Sequence, residues 1–169
     1  MSFSRGALYP SIAVSDAFNV VGHLLAARIA ADRGHVFAAA GFLTVAVAGA
    51  VGVLRFGFSE TDFAAANGAL ADFAGFVGLP CVGLTFLRRV PTMQLKAADS
   101  SIVIMLGCIE AATRGMHPTK REQAKILVNV VFFVAPVVLA AVQNSNFQLL
   151  GGIALFVVAG LVITADRHR

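Results

Sequence analysis

The chain has no tryptophan, one tyrosine and two cysteines among 169 residues, and only 13% of it is charged. Each shortage excludes something. A soluble domain carries about 25% charged residues. With half that share, 58% hydrophobic residues and a mean hydropathy of +0.82, the chain lacks the polar surface to cover a globule, and lipid is the natural solvent for the excess. Cys81 and Cys108 lie in separate apolar runs and in no CxxC, so neither a disulfide framework nor a cysteine metal site is expected. Without tryptophan, Tyr9 and the phenylalanines are left to mark the membrane interface. Residues 1–10 hold one arginine and no apolar core, so no cleavable secretion signal is expected. GxSxG, HExxH and a glycine-rich phosphate loop are all missing. His23 is the single histidine central to an apolar segment, since His35, His117 and His168 fall near segment ends. A three-histidine zinc site and a bis-histidine haem are therefore disfavoured, and neither metal nor cofactor is expected. The net charge is +4, but no basic run is interleaved with aromatics, so no nucleic-acid partner is expected.

What is present is a series of apolar segments separated by short polar links. The fold expected is an all-α polytopic transmembrane bundle of about six spans, forming a single integral membrane domain over residues 1–169. The spans fall near 11–31, 36–54, 63–87, 100–114, 126–142 and 147–165. About 20 helical residues at roughly 1.5 Å each cross the hydrocarbon core. The fourth segment is short for a crossing and is open to a re-entrant reading.

The first segment, Ser11–Ala31, is long enough to cross yet carries Asp16, Asn19 and His23. At about 100° per residue these three share an arc of roughly 60°. A charged group near the bilayer centre costs about 3 kcal/mol, so the stripe must face other helices, water or a ligand. The second segment is rich in alanine and glycine and ends at Arg55. Its small residues at spacing four, such as Ala46 with Ala50, allow close helix approach. Ser59 or Thr61 is placed to cap the third segment. That segment contains Asn67 and Asp72, and Gly68, Ala69 and Gly75 lie on the Asp72 side. A narrow, charged side of this kind suits an interhelical polar contact. Pro80 is expected to bend the third helix and free a carbonyl near Phe76, and Pro136 is placed as a second hinge in the fifth.

Glu110 and Arg114 stand at i,i+4 in the favourable order, acid first, and are expected to pair locally. Met116–Lys125 holds Lys120, Arg121, Glu122 and Lys125. It reads as a cytoplasmic loop anchored by basic residues, with a lipid-headgroup site as a further option. Asn129 shares a face with Pro136. With six spans, Arg5, Arg55, Arg114, Lys120, Arg121, Lys125, Arg167 and Arg169 fall on one side, against Arg28, Arg33, Arg88, Arg89 and Lys96 on the other. The excess puts both termini in the cytoplasm, in a bacterial-type inner or plasma membrane. A loose likeness between the third and sixth segments is the most that an inverted repeat could rest on.

On this orientation Asp16, Arg55, Asp72, Glu110 and Asn129 gather between the midplane and the cytoplasmic face, with His23 just beyond the midplane and Asn19 on the stripe that joins Asp16 to His23. They are the candidate ion or substrate pathway: a polar cavity with His23 at its floor. Intramembrane carboxylates and a histidine are the parts of proton relays and ion-coupled carriers. The expected activity is therefore transport or conduction of an ion, a proton or a small solute. Two alternatives stand beside it: a metal-dependent intramembrane lipid hydrolase, and an accessory or assembly subunit whose polar groups hold helices together. In outline the chain resembles small membrane-embedded binding subunits of vitamin-uptake systems, in span number and in the small pairs Ala26/Ala30 and Ala27/Ala31. The expected partners are the lipid bilayer and, beyond it, further copies of the chain or a larger membrane complex.

Overall fold

In the computed structural model, residues 9–88 and 99–144 are described, and among them every regular element is a helix. Helix α1 covers Pro10–Asp32. Proline opens it, in the first turn, where a missing N–H costs nothing. It ends at Gly34, whose φ of +73° is the left-handed conformation that glycine adopts freely. Gly34 N donates to Ala31 O at 2.9 Å and His35 N to Ala30 O at 2.8 Å. That reciprocal pair closes the helix and reverses the chain into α2, Val36–Gly57. The backbone tie Tyr9 N to Phe56 O, 3.0 Å, fixes the start of α1 beside the end of α2.

Helix α3 runs Glu60–Leu87. Of the two expected caps it uses Ser59, whose hydroxyl donates to Asp62 Oδ2 at 2.8 Å and accepts from the Asp62 N–H. Helix α4 covers Asp99–Thr113. Helix α5 runs Pro118–Gln143. Four of the five, α1, α2, α3 and α5, are long and apolar enough to cross a membrane, while α4 is not. The segment placed at 147–165 lies outside the described residues.

Two expectations are corrected here. Residues 118–125 are not a loop: they are the opening turns of α5, so the basic residues stand on a helix and not on a flexible link. Also, the bends expected at Pro80 and Pro136 take a particular form. A widened five-residue π turn precedes each proline, at Ala74–Gly78 and at Val130–Val134. Leu79 N–H reaches back to Ala74 O, and Ala135 N–H to Val130 O, five residues each. Proline cannot donate to the carbonyl four residues earlier, and its ring would strike it. The extra residue in the turn relieves both problems.

The helices meet where side chains are missing. A Cβ on Gly41 would strike the Gly78 carbonyl, and one on Gly78 would strike the Thr44 side chain, so α2 and α3 approach backbone to backbone there. A Cβ on Gly83 would strike the carbonyl of Phe132, the oxygen that Pro136 cannot serve. Phe76, Val77, Cys81, Leu106 and Val128 form a buried cluster where α3, α4 and α5 converge, and Phe76 and Leu106 are fully enclosed.

These contacts also fix direction. Gly52 of α2 faces Asn67 of α3, and Gly41 faces Gly78, so α2 and α3 are antiparallel. Lys125 lies over Gly75, and Phe132 lies over Gly83, so α3 and α5 are parallel. Whatever joins two parallel helices must travel back along them. Helix α4, fifteen residues and about 21 Å long, covers most of that return.

Candidate functional site

The most highly charged place in the described structure lies between α3, α4 and α5. Asp72 projects from α3 toward the first turns of α5. Its Oδ2 is 3.1 Å from Arg121 Nη1 and its Oδ1 is 3.1 Å from Lys125 Nζ. Gly75 makes this possible. A Cβ there would stand 2.7 Å from Lys125 Cδ, so the aliphatic stem of the lysine occupies the space a side chain would take. Arg121 also gives Nη2 to Glu110 Oε1 at 3.1 Å. Glu110 receives Arg114 through both oxygens, with Nη2 to Oε2 at 2.9 Å. Lys125 holds Glu122 as well, at 2.6 Å. The result is one chain of charge, Arg114–Glu110–Arg121–Asp72–Lys125–Glu122, joining three helices.

The expected Glu110–Arg114 pair is present, but the carboxylate is not solvated. Its side chain is 5% exposed, against 66% for Arg114. The hydrogen bond and charge of Glu110 push the Arg114 guanidinium above its ordinary value. Arg121 and Lys125 are the partners that the reading of the sequence missed. The signal was available: Arg121, Lys125, Val128 and Phe132 recur at helical spacing and continue the apolar face of α5 through the charged stretch. Reading that stretch as a loop hid it.

The other candidates lie elsewhere. Asp16 faces α2, where its Oδ2 sits directly on Gly52, and the Asn67 Oδ1 of α3 would stand 3.6 Å from a Cβ at the same glycine. The His23 side chain folds back on its own helix, with Nδ1 2.7 Å from the backbone carbonyl oxygen of Asn19. The His23 ring tilts toward Phe42, with centroids 6.1 Å apart. Arg55 stands at the end of α2, its guanidinium 4.8 Å from the Phe56 ring and 3.8 Å from Glu60 Oε1. Asn129 Nδ2 donates to the Lys125 carbonyl at 2.9 Å, which leaves its Oδ1 buried without a partner. The structure therefore joins Asp72 to Glu110, with Asn129 one turn beyond Lys125. Among the described residues no hydrogen bond or ion pair ties Asp16, Asn19, His23 or Arg55 to these.

A separate cavity of about 280 Å³ lies between α1, α2 and the last turns of α3, lined by Ala30, Phe42, Val82 and Phe86 with Arg33 and His35 at its edge. None of the candidate residues borders it. Among the described residues no group of three or more histidine, cysteine, aspartate or glutamate side chains is placed to hold a metal ion. Cys81 and Cys108 are both free thiols.

Fold and site together define the class: an all-helical protein with, among the described residues, four helices suited to crossing a membrane and a charged junction between helices. No protein-family model, no curated protein and no solved structure matches this chain.

Proposed function

We propose that this is a multi-pass protein of a bacterial-type inner or plasma membrane, with six crossings and cytoplasmic termini, that moves an ion or a small polar solute across the bilayer. In this reading α4 is the fourth crossing and 147–165 the sixth. One observation carries the transport reading. Asp16 lies inside a helix suited to crossing the membrane, and among the described residues no arginine, lysine or histidine pairs with its carboxylate. Asp72 and Glu110, by contrast, are each held by two cations. Paired acids of that kind are what helix assembly alone requires. An unpaired acid at membrane depth is expensive and marks an ion or substrate path. The charged junction then serves as the closure between α3, α4 and α5, and the π turns before Pro80 and Pro136 are the points where those helices flex.

Purified protein in sealed vesicles tests this. Under an imposed pH or salt gradient, wild type dissipates the gradient and Asp16→Asn does not. Vesicles of wild type as tight as protein-free vesicles, under proton, sodium and potassium gradients alike, would overturn the reading.

A further inference from the structure

We infer that Asp16 and Asn67 form a proton-binding site, in which the neutral Asp16 carboxyl donates its hydrogen to the Asn67 side-chain oxygen across Gly52. The inference rests on the transport reading and names its substrate as the proton.

The argument begins with Gly52. Helices α1, α2 and α3 converge there, and the missing side chain lets the Asp16 carboxylate seat directly on the α2 backbone. Asn67 brings a second oxygen to the same spot from α3. Asp16 is the seventh residue of α1, Gly52 the sixth from the end of α2 and Asn67 the eighth of α3. All three therefore lie at a similar depth, about 8–10 Å inside the helix ends on one side. Asp16 Oδ2 and Asn67 Oδ1 both come within 3.6 Å of the place a Gly52 Cβ would take, and both are acceptors. A single proton satisfies both.

Among the described residues the surrounding charges do not supply a substitute. On α1 the nearest titratable group is His23, two turns away, with Nδ1 held at the Asn19 carbonyl. On α2 it is Arg55, whose guanidinium lies over Phe56 and 3.8 Å from Glu60 Oε1, with Nε buried and without a hydrogen-bond partner. On α3, Glu60 is the partner of Arg55, and Asp62 takes the Ser59 hydroxyl. A metal cation is a poorer occupant. Hard cations gather about six oxygens, and Asp16 and Asn67 offer three side-chain oxygens at most. The step balances simply: water at the near face delivers a proton to Asp16 Oδ2, the carboxylate becomes a carboxylic acid, and the same proton later returns to water.

Infrared difference spectroscopy of the full chain in lipid nanodiscs, recorded over a pH ramp, tests the site directly. Wild type shows the carbonyl stretch of a protonated carboxyl, lost as the pH is raised. Asp16→Asn removes that band. Asn67→Leu keeps the band but shifts its frequency, because the acceptor is gone. If Asn67→Leu does not assemble, Asn67→Ser shortens the acceptor and shifts the band in the same sense. A band that survives Asp16→Asn, or is indifferent to both Asn67 variants, overturns the site. So does a band abolished by sodium at constant pH, which would assign a metal cation instead. The vesicle measurement is separate. Flux that depends on Asp16 without this band removes the proton site and keeps transport, while the band without flux removes transport and keeps the site.

Discussion

Arg121 is the residue on which the charged junction depends. It touches both Asp72 and Glu110, so replacing it takes one of two cations from each carboxylate at once and unties the only link between them among the described residues. Each carboxylate keeps its other cation, Lys125 or Arg114, and the two lost charged contacts together cost about 2 kcal/mol or more. Arg121→Met should therefore lower the melting temperature in detergent strongly, and Arg114→Met only slightly, because Arg114 lies mostly in solvent and Glu110 keeps its second cation. Adding Glu110→Gln to Arg121→Met should recover part of the loss, since the enclosed charge goes with its partner. Equal destabilisation by the two single arginine variants would show that the junction is not organised around Arg121. The glycines divide in the same way. A methyl group at Gly83 would meet the backbone of Phe132 and Phe133, which cannot move aside cheaply. At Gly68 it meets nothing within 4 Å. Gly83→Ala should cost at least about 2 kcal/mol, and Gly68→Ala should gain about 0.5 kcal/mol from helix propensity. Thermal unfolding of the two single variants, side by side, decides it.

At the scale of the element, the two π turns determine how α3 and α5 cross. The turn at Val130–Val134 adds one residue, so everything beyond it is rotated by about 100° relative to an unbroken α-helix. Val137, Ala140 and Ala141 are buried as a result. Deleting Val131 should restore an ordinary helix and turn those three residues out of the interface, with loss of folded protein on size exclusion. Pro136→Ala keeps the residue count and should leave the protein folded. If the deletion is tolerated as well as the substitution, the π turn does not set the register. This element also shows where the sequence was legible and where it was not. Segment ends were readable where they carry local signals: Pro10, Gly34 and Ser59 mark boundaries by backbone chemistry alone, whereas the helix start at Pro118 was hidden by the charges that follow it. A narrow polar contact at Asp72 was readable from Gly75 three residues on. The π turns were not, because nothing in Ala74–Gly78 or Val130–Val134 differs locally from an apolar α-helix; the prolines announce a disturbance and not its form. The partners of Asp72 and Glu110 were hidden for a different reason. They come from residues about 50 and 11 positions along the chain, and only the parallel docking of α5 on α3 brings them to one level.

For the whole molecule, the parallel register of α3 and α5 makes a demand on topology. If both cross the bilayer, they cross in the same direction, and residues 88–117 must return between them. The link between α2 and α3 and the link between α4 and α5 then lie on one side of the membrane, and the link between α1 and α2 lies on the other. This is a stronger constraint than the basic-residue count, which separates the two sides by only a few charges. Three exposed positions test it: Thr61 before α3, His117 before α5, and Asp32 at the end of α1. In a background with Cys81 and Cys108 replaced by alanine and serine, single cysteines at Thr61 and His117 should react together with a membrane-impermeant maleimide, from the same face of sealed vesicles. A cysteine at Asp32 should react only from the opposite face. Should His117→Cys label with Asp32→Cys instead, α4 would not be the returning leg. Asp72 and its cations would then be brought together by helices that do not both traverse the bilayer, and the junction could not close a path across it.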